Sequence, residues 1–198
     1  VMAYLVGGTL KQFTGKPMDF RQAIPLILPV ADALAYAHEM GIIHRDIKPA
    51  NILITKSGSV MLSDFGIAKL LEGTDLSLTT EGMGVGTPQY MAPEQWRNEV
   101  RPQTDIYALG VVLFELITGI RPYDADTPPA VAVLQATEPL VQPRNLVPDL
   151  PAGVEKALFK ALSLKPEDRY LSMADFASVL REILKEKHGE MPAIDPHF

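Results

Sequence analysis

Cysteine is absent from the 198 residues, which excludes disulfides, thiolate nucleophiles and zinc-thiolate sites and is compatible with a reducing compartment. Basic charge is in deficit, with 18 Lys and Arg against 24 Asp and Glu and a net charge of -6. A nucleic-acid backbone is bound mainly by clustered cations, and the cations here are scattered and outnumbered, so no nucleic-acid partner is expected. Long apolar runs are missing too. The longest, Ala108 to Ile117, is too short to span a bilayer and is broken by Glu115, so no membrane span is expected in this segment. Repeats and low-complexity tracts are also lacking. What remains is 47% hydrophobic and 21% charged residues, enough to bury a real core as one globular domain with a short polar tail.

The chain opens mid-pattern. Val1 to Leu5 reads as a buried strand with no turn or cap before it, so a preceding segment is expected. Ile24, Ile27, Leu28, Ala31, Leu34, Ala35 and His38 recur at helical spacing and predict a helix over 20–40 that stops before Gly41. Pro25 and Pro29 lie inside it. Pro29 removes an interior hydrogen bond, which predicts a kink or a late start. Ile52 to Ile54 and Val60 to Leu62 read as a hairpin across the polar turn Lys56-Ser57-Gly58-Ser59. With the turn centred between Ser57 and Gly58, Asn51 falls opposite Asp64. Thr104 to Thr118 is apolar on nearly all faces and ends at Gly119, the mark of a helix buried as the central post of a domain. Further helices are expected around Val131 to Ala136, Val154 to Leu164 and Ser172 to Lys185, divided by proline-rich loops, with Ser172 and Asp175 forming a capping box. Lys185 to Phe198 loses periodicity and reads as a linker. The architecture is mostly α with one small β-hairpin sheet.

The densest chemistry lies in His44-Arg45-Asp46-Ile47-Lys48-Pro49-Ala50-Asn51 and, past the hairpin, Ser63-Asp64-Phe65-Gly66. Taken singly, an Asp in a loop is a turn former, Lys48 a solvated charge and Asn51 a cap. At this spacing they supply a base, a cation and two hard oxygen ligands at one point. That set suits phosphoryl transfer, which needs a hydroxyl aimed in line with a phosphate and neutralisation of the charge on its oxygens. Asp46 takes the hydroxyl proton, Lys48 faces the phosphate, and Asn51 and Asp64 hold Mg²⁺, with Mn²⁺ as a substitute. His44 reads as a packed structural histidine and Phe65 as a core contact beside Asp64.

The H-R-D-x-x-x-x-N and D-F-G pair is the established signature of protein kinases, and the chain resembles their catalytic domain. Gly86-Thr87-Pro88-Gln89-Tyr90-Met91-Ala92-Pro93-Glu94 resembles the segment closing the activation loop of serine/threonine kinases, and Asp105 to Gly110 the start of their buried helix. The details of 46–51 and Pro93-Glu94-Gln95 are similar to the eukaryotic-like kinases of bacteria. The resemblance implies the C-terminal lobe of the kinase α+β fold without its N-terminal lobe. It places a hinge at residues 1–10, the lobe at 11–184 with catalytic loop 44–51 and activation segment 64–94, and a tail at 185–198. It also implies ATP and Mg²⁺ as cofactors. Met2 would guard the back of the nucleotide pocket, the backbone of Ala3 and Leu5 would bond adenine, Thr9 would lie near the ribose and Leu53 under the base. Thr87 would contact Asp46 and Lys48 in the substrate groove, and Glu94 would pair with Arg169 as a buried clamp. Arg45 marks control by loop phosphorylation, with Thr79 and Thr80 the preferred sites.

The resemblance also leaves parts out. No G-x-G-x-x-G loop, strand lysine or helix glutamate occurs, and Gly7-Gly8 has the wrong spacing to replace the loop. The expected activity is serine/threonine protein phosphorylation, with the isolated segment inactive. Expected partners are Ser/Thr-containing proteins and a second copy for trans-autophosphorylation. The expected location is a cytoplasmic domain of a protein that in many bacterial relatives is membrane-anchored. The rivals are a small-molecule phosphotransferase, disfavoured by the Thr87 to Glu94 segment, and a pseudokinase scaffold, disfavoured by intact Asp46, Lys48, Asn51 and Asp64.

Overall fold

The computed structural model describes residues 8–64 and 87–185. Met2, Ala3 and Leu5 with the strand expected at Val1 to Leu5, Phe65 and Gly66, Thr79 and Thr80, and the tail beyond Lys185 lie outside the described residues. Helix α1 runs over Phe20–Glu39. Its start is set by Asp19, whose Oδ1 accepts the Arg21 backbone N–H at 2.7 Å, a side-chain cap on an otherwise unpaired donor. The start is therefore not delayed to Pro29. Pro25 and Pro29 are four residues apart and both exposed, so the carbonyls they leave unbonded face water, where the cost of the lost bonds is smallest. Ala23, Ile24, Ile27, Val30, Ala31 and Leu34 form the opposite, buried face.

The hairpin pairs β1 (Ile52–Ile54) with antiparallel β2 (Val60–Leu62), with Ile52 opposite Leu62. This corrects the expected register by one residue. The loop has three residues, closed by Gly58 N–H to the Thr55 carbonyl and Thr55 N–H to the Ser59 carbonyl, both at 2.9 Å. Gly58 sits at φ 82, the left-handed position that a three-residue hairpin loop requires. An odd loop centres the hairpin on Ser57, so Asn51 faces Ser63 and Asp64 follows one position later.

Helix α2 (Pro102–Thr118) is buried at every residue from Thr104 to Thr118 and closes at Gly119. Four helices follow, α3 (Pro128–Thr137), the one-turn α4 (Pro143–Leu146), α5 (Ala152–Ala161) and α6 (Met173–Lys185). Helix α2 packs against α1, α4, α5 and α6 and meets α3 through the Gln135–Tyr107 hydrogen bond. Gly110 permits the α2–α5 crossing, since a Cβ there would stand 3.0 Å from the Ala161 Cβ. Helix α5 stops three residues before the predicted Leu164. There the chain turns the Ser163 and Leu164 carbonyls toward Arg169, which donates to them at 2.8 and 3.1 Å. At the start of α6 the capping box is present, with the Ser172 and Asp175 side chains each accepting the other's backbone N–H at 3.1 and 3.0 Å. Among the described residues the result is the mostly α architecture with one two-stranded sheet that the sequence predicts.

Candidate active site

The loop between α1 and β1 brings the predicted base, cation and amide together. Lys48 Nζ donates to Asp46 Oδ2 at 2.8 Å, and Asn51 Nδ2 donates to the same oxygen at 3.1 Å and to the Asp46 carbonyl at 2.8 Å. Two donors on one oxygen fix the plane of the carboxylate. Asp46 and Lys48 are both partly open, with side chains 24% and 20% exposed, so a hydroxyl from solvent can reach the pair. Lys48 lies against the base in this structure.

Three buried groups hold the loop in place. Asp105, in the first turn of α2, accepts the backbone N–H of His44 at 2.8 Å through Oδ2 and that of Arg45 at 2.9 Å through Oδ1, and takes His38 Nε2 on Oδ2 at 2.8 Å. Gln95 bridges the two loops by donating from Nε2 to the Arg45 carbonyl at 3.1 Å while its Oε1 accepts the Ala92 N–H at 2.8 Å. This grip holds Arg45 at φ 69, a left-handed conformation that costs a non-glycine residue roughly 1–2 kcal/mol. His44 is fully buried. Its Nε2 faces the Ser63 carbonyl at 3.0 Å and its Nδ1 the Asp46 N–H at 3.3 Å. A carbonyl only accepts and an N–H only donates, so these bonds fit the neutral Nε2–H tautomer and the packed role read from the sequence. No sequence motif marks Asp105 or Gln95 for this supporting role. The usable signal for Asp105 was a carboxylate in the first turn of a mostly apolar, buried helix.

The corrected register alters how the two oxygen ligands approach. The Ser63 backbone N–H and hydroxyl both donate to the Asn51 carbonyl, at 2.9 and 3.0 Å, so Ser63 rather than Asp64 is the cross-strand partner. Asp64 sits just beyond it at φ 55, exposed, where the chain leaves the sheet. Asn51 has committed its amide nitrogen to Asp46, which leaves Oδ1 as the atom it can offer a metal. Asn51 Oδ1 and the Asp64 carboxylate are hard oxygens on adjoining segments and fit Mg²⁺, which takes few protein ligands and fills its octahedron with phosphate and water. No cluster of three or more His, Cys, Asp or Glu that could hold a metal ion occurs among the described residues.

Residues 1–187 match the family model described as protein kinase domain. The chain belongs to the protein kinase domain family. It is 39% identical over 195 residues, 97% of its length, to the serine/threonine-protein kinase PknB of Mycolicibacterium smegmatis. It is 38% identical over 187 residues, 92% of its length, to a probable serine/threonine-protein kinase of Clostridium acetobutylicum, and 37% identical over 97% of its length to PknB of Mycobacterium tuberculosis. It spans only 31%, 28% and 31% of those three relatives.

Within this kinase domain, Thr9, expected near the ribose, and Leu53, expected under the base, are joined as an antiparallel bridge, and Ile54 N–H donates to the Gly8 carbonyl at 3.0 Å. Glu94 and Arg169 form the expected clamp. Both side chains are 0% exposed, with Nη1 to Oε1 at 2.7 Å and Nη2 to Oε2 at 2.8 Å, and Thr104 adds its hydroxyl to Oε1 at 2.9 Å. Burial pushes the Glu94 carboxyl up, but the Arg169 hydrogen bonds and charge more than offset this and hold it below the usual carboxylate value. Thr87 is exposed and makes no hydrogen bond to Lys48 among the described residues. Tyr90, three residues on, donates from Oη to Glu115 at 2.6 Å in the interior. Burial raises the Glu115 carboxyl above its ordinary range despite that bond. No helix among the described residues is long and apolar enough to cross a membrane.

Proposed function

We propose that the protein carrying this domain transfers the γ-phosphate of ATP to serine and threonine hydroxyls of protein substrates. The observation that carries this reading is the doubly held Asp46 Oδ2, with Lys48 at 2.8 Å and Asn51 at 3.1 Å. A carboxylate oriented by two donors is placed to accept a hydrogen bond from an incoming hydroxyl and take its proton as the new bond forms. Lys48, already at the base, meets the developing negative charge with a short swing of its flexible stem. Asn51 Oδ1 and Asp64 hold the metal, and Thr9 and Leu53, with Met2, Ala3 and Leu5, hold the nucleoside. Mg²⁺-ATP supplies the phosphoryl group and the neutralisation of its oxygens.

A protein substrate is favoured over a small alcohol by the Thr87–Glu94 segment, which is anchored to the core through Glu94 and, by the adjoining Gln95, to the catalytic loop. The names of the relatives support serine/threonine specificity. Arg45 supports regulation by phosphate on Thr79 or Thr80, because its Nε is buried without a hydrogen-bond partner among the described residues and an incoming phosphate would satisfy it. Residues 1–10 serve as the hinge to a smaller lobe, 11–184 as the catalytic lobe and 185–198 as a linker. The domain works in the cytoplasm and pairs with a second copy to modify its own loop. This segment alone binds ATP weakly and transfers phosphate negligibly. The test is phosphopeptide mass spectrometry on the natural protein with Mg²⁺ and ATP. Phosphate on Thr79, Thr80 or a protein substrate supports the reading, and none on any serine or threonine of a folded sample overturns it.

A further inference from the structure

Helix α3 carries no group of the proposed chemistry, yet one side chain on it is built into the loop that faces the substrate. Gln135 is 3% exposed. Its Nε2 donates to the Met91 carbonyl at 2.8 Å and to Tyr107 Oη on α2 at 3.1 Å, and its Oε1 accepts Trp96 Nε1–H at 2.8 Å. The amide can sit only this way round, because a carbonyl must be met by a donor and an indole N–H by an acceptor. A second tie lies at the other end of the same region, where Gln89 Nε2 donates to the Ala125 carbonyl at 2.9 Å, just before α3. Residues 89–96 are thus fastened to the α3 region at Gln89, Met91 and Trp96.

We infer that Gln135 is a positioning residue that sets the register of the Thr87–Met91 substrate shelf, so that α3 determines how tightly protein substrate is held. This rests on the proposed reading of that segment as the substrate groove. The loop that carries Asp46, Lys48 and Asn51 is held instead at His44 and Arg45, by Asp105 on α2 and by Gln95 on the Arg45 carbonyl. Loss of the Gln135 bonds therefore loosens the shelf and leaves the catalytic loop in place. Leucine at 135 keeps most of the volume and removes all three bonds. Glutamate keeps the shape and the Trp96 bond but sets an oxygen against the Met91 carbonyl.

The experiment uses the full natural protein and its Gln135→Leu, Gln135→Glu and Trp96→Phe variants, each checked by thermal melt, with myelin basic protein as the substrate probe. For both Gln135 variants the inference expects KM for the probe to rise about tenfold, the worth of one net hydrogen bond. KM for ATP and kcat should stay within about twofold of wild type. Backbone hydrogen exchange in 89–92 should quicken about tenfold while exchange in 44–51 stays unchanged. Trp96→Phe should shift both quantities in the same direction by less, and it decides the matter if the Gln135 variants do not fold. Unchanged KM and exchange in folded variants, or kcat and both KM values moving together, overturns the inference. Wild type that transfers no phosphate removes the kinase reading instead, and exchange at 89–92 still decides whether Gln135 positions the loop.

Discussion

Arg169→Met is the substitution with the largest expected effect on stability. Arginine has five N–H donors, and all five are used: Nε to the Ser163 carbonyl, Nη1 to Glu94 and the Gln103 carbonyl, and Nη2 to Glu94 and the Leu164 carbonyl, at 2.7 to 3.1 Å. Methionine fills the space but leaves Glu94 as a buried charge without its partner. Removing one member of a buried pair costs about 3–5 kcal/mol, a large share of the roughly 5–15 kcal/mol that holds a domain folded. At about 2–4 °C per kcal/mol the melting temperature of the natural protein should fall by roughly 6–20 °C. The exposed pair Asp32–Arg181, with side chains 55% and 43% exposed, is the control, and Arg181→Met should cost no more than about 1 kcal/mol. Urea unfolding monitored by circular dichroism reads both. Adding Glu94→Gln to Arg169→Met should recover part of the loss, since the stranded charge is gone. A loss below about 1 kcal/mol for Arg169→Met, or strict additivity in the double mutant, would refute the buried-clamp account.

Three further perturbations test other levels of the account. Glu94 is depressed, so its contribution is present above the ordinary carboxylate value of 4.5 and lost as pH falls through its folded value; Glu115 is raised, so its contribution is present below 4.5 and lost as pH rises through its folded value. Melting curves from pH 3 to 7 should therefore show wild type losing ground to Glu94→Gln on acidification below about 4.5 and gaining on Glu115→Gln as pH falls from neutrality toward that value. Asp105→Asn sets an amide N–H₂ among three donors. It should cost about 1–3 kcal/mol and lower kcat at least tenfold with KM for ATP little changed, measured by steady-state phosphotransfer. Gly58→Ala meets no atom within 4 Å, so its cost is the left-handed strain alone, about 1–2 kcal/mol, and a loss near zero in urea unfolding would count against the three-residue loop.

The sequence carried the helices well because burial wrote them as spacing. The run from Thr104 to Thr118 and the faces of α1 and α6 could be read directly, as could the Ser172–Asp175 box. The late start offered for Pro29 does not occur, because the cost of an interior proline depends on which face it occupies, and the exposed side that Pro25 and Pro29 share becomes visible only once the buried face is known. The hairpin register turned on whether the loop held three residues or four, a difference of one φ at Gly58 that a polar tetrapeptide does not announce. In the site, Asp46, Lys48 and Asn51 form one hydrogen-bonded group as their spacing suggested. The supports Asp105 and Gln95 went unassigned because their bonds to Arg45 reach across 60 and 50 residues of chain, and no local pattern names the groups they hold.

The most direct test of the central claim is phosphate transfer by the natural protein beside its Asp46→Asn counterpart, with Mg²⁺ and ATP and phosphosites read by mass spectrometry. The account predicts phosphoserine and phosphothreonine from wild type and a rate lower by about 10²–10⁴ in Asp46→Asn, the usual worth of a positioned base. Equal rates from the two, or phosphate on no serine or threonine from folded wild type, would contradict it.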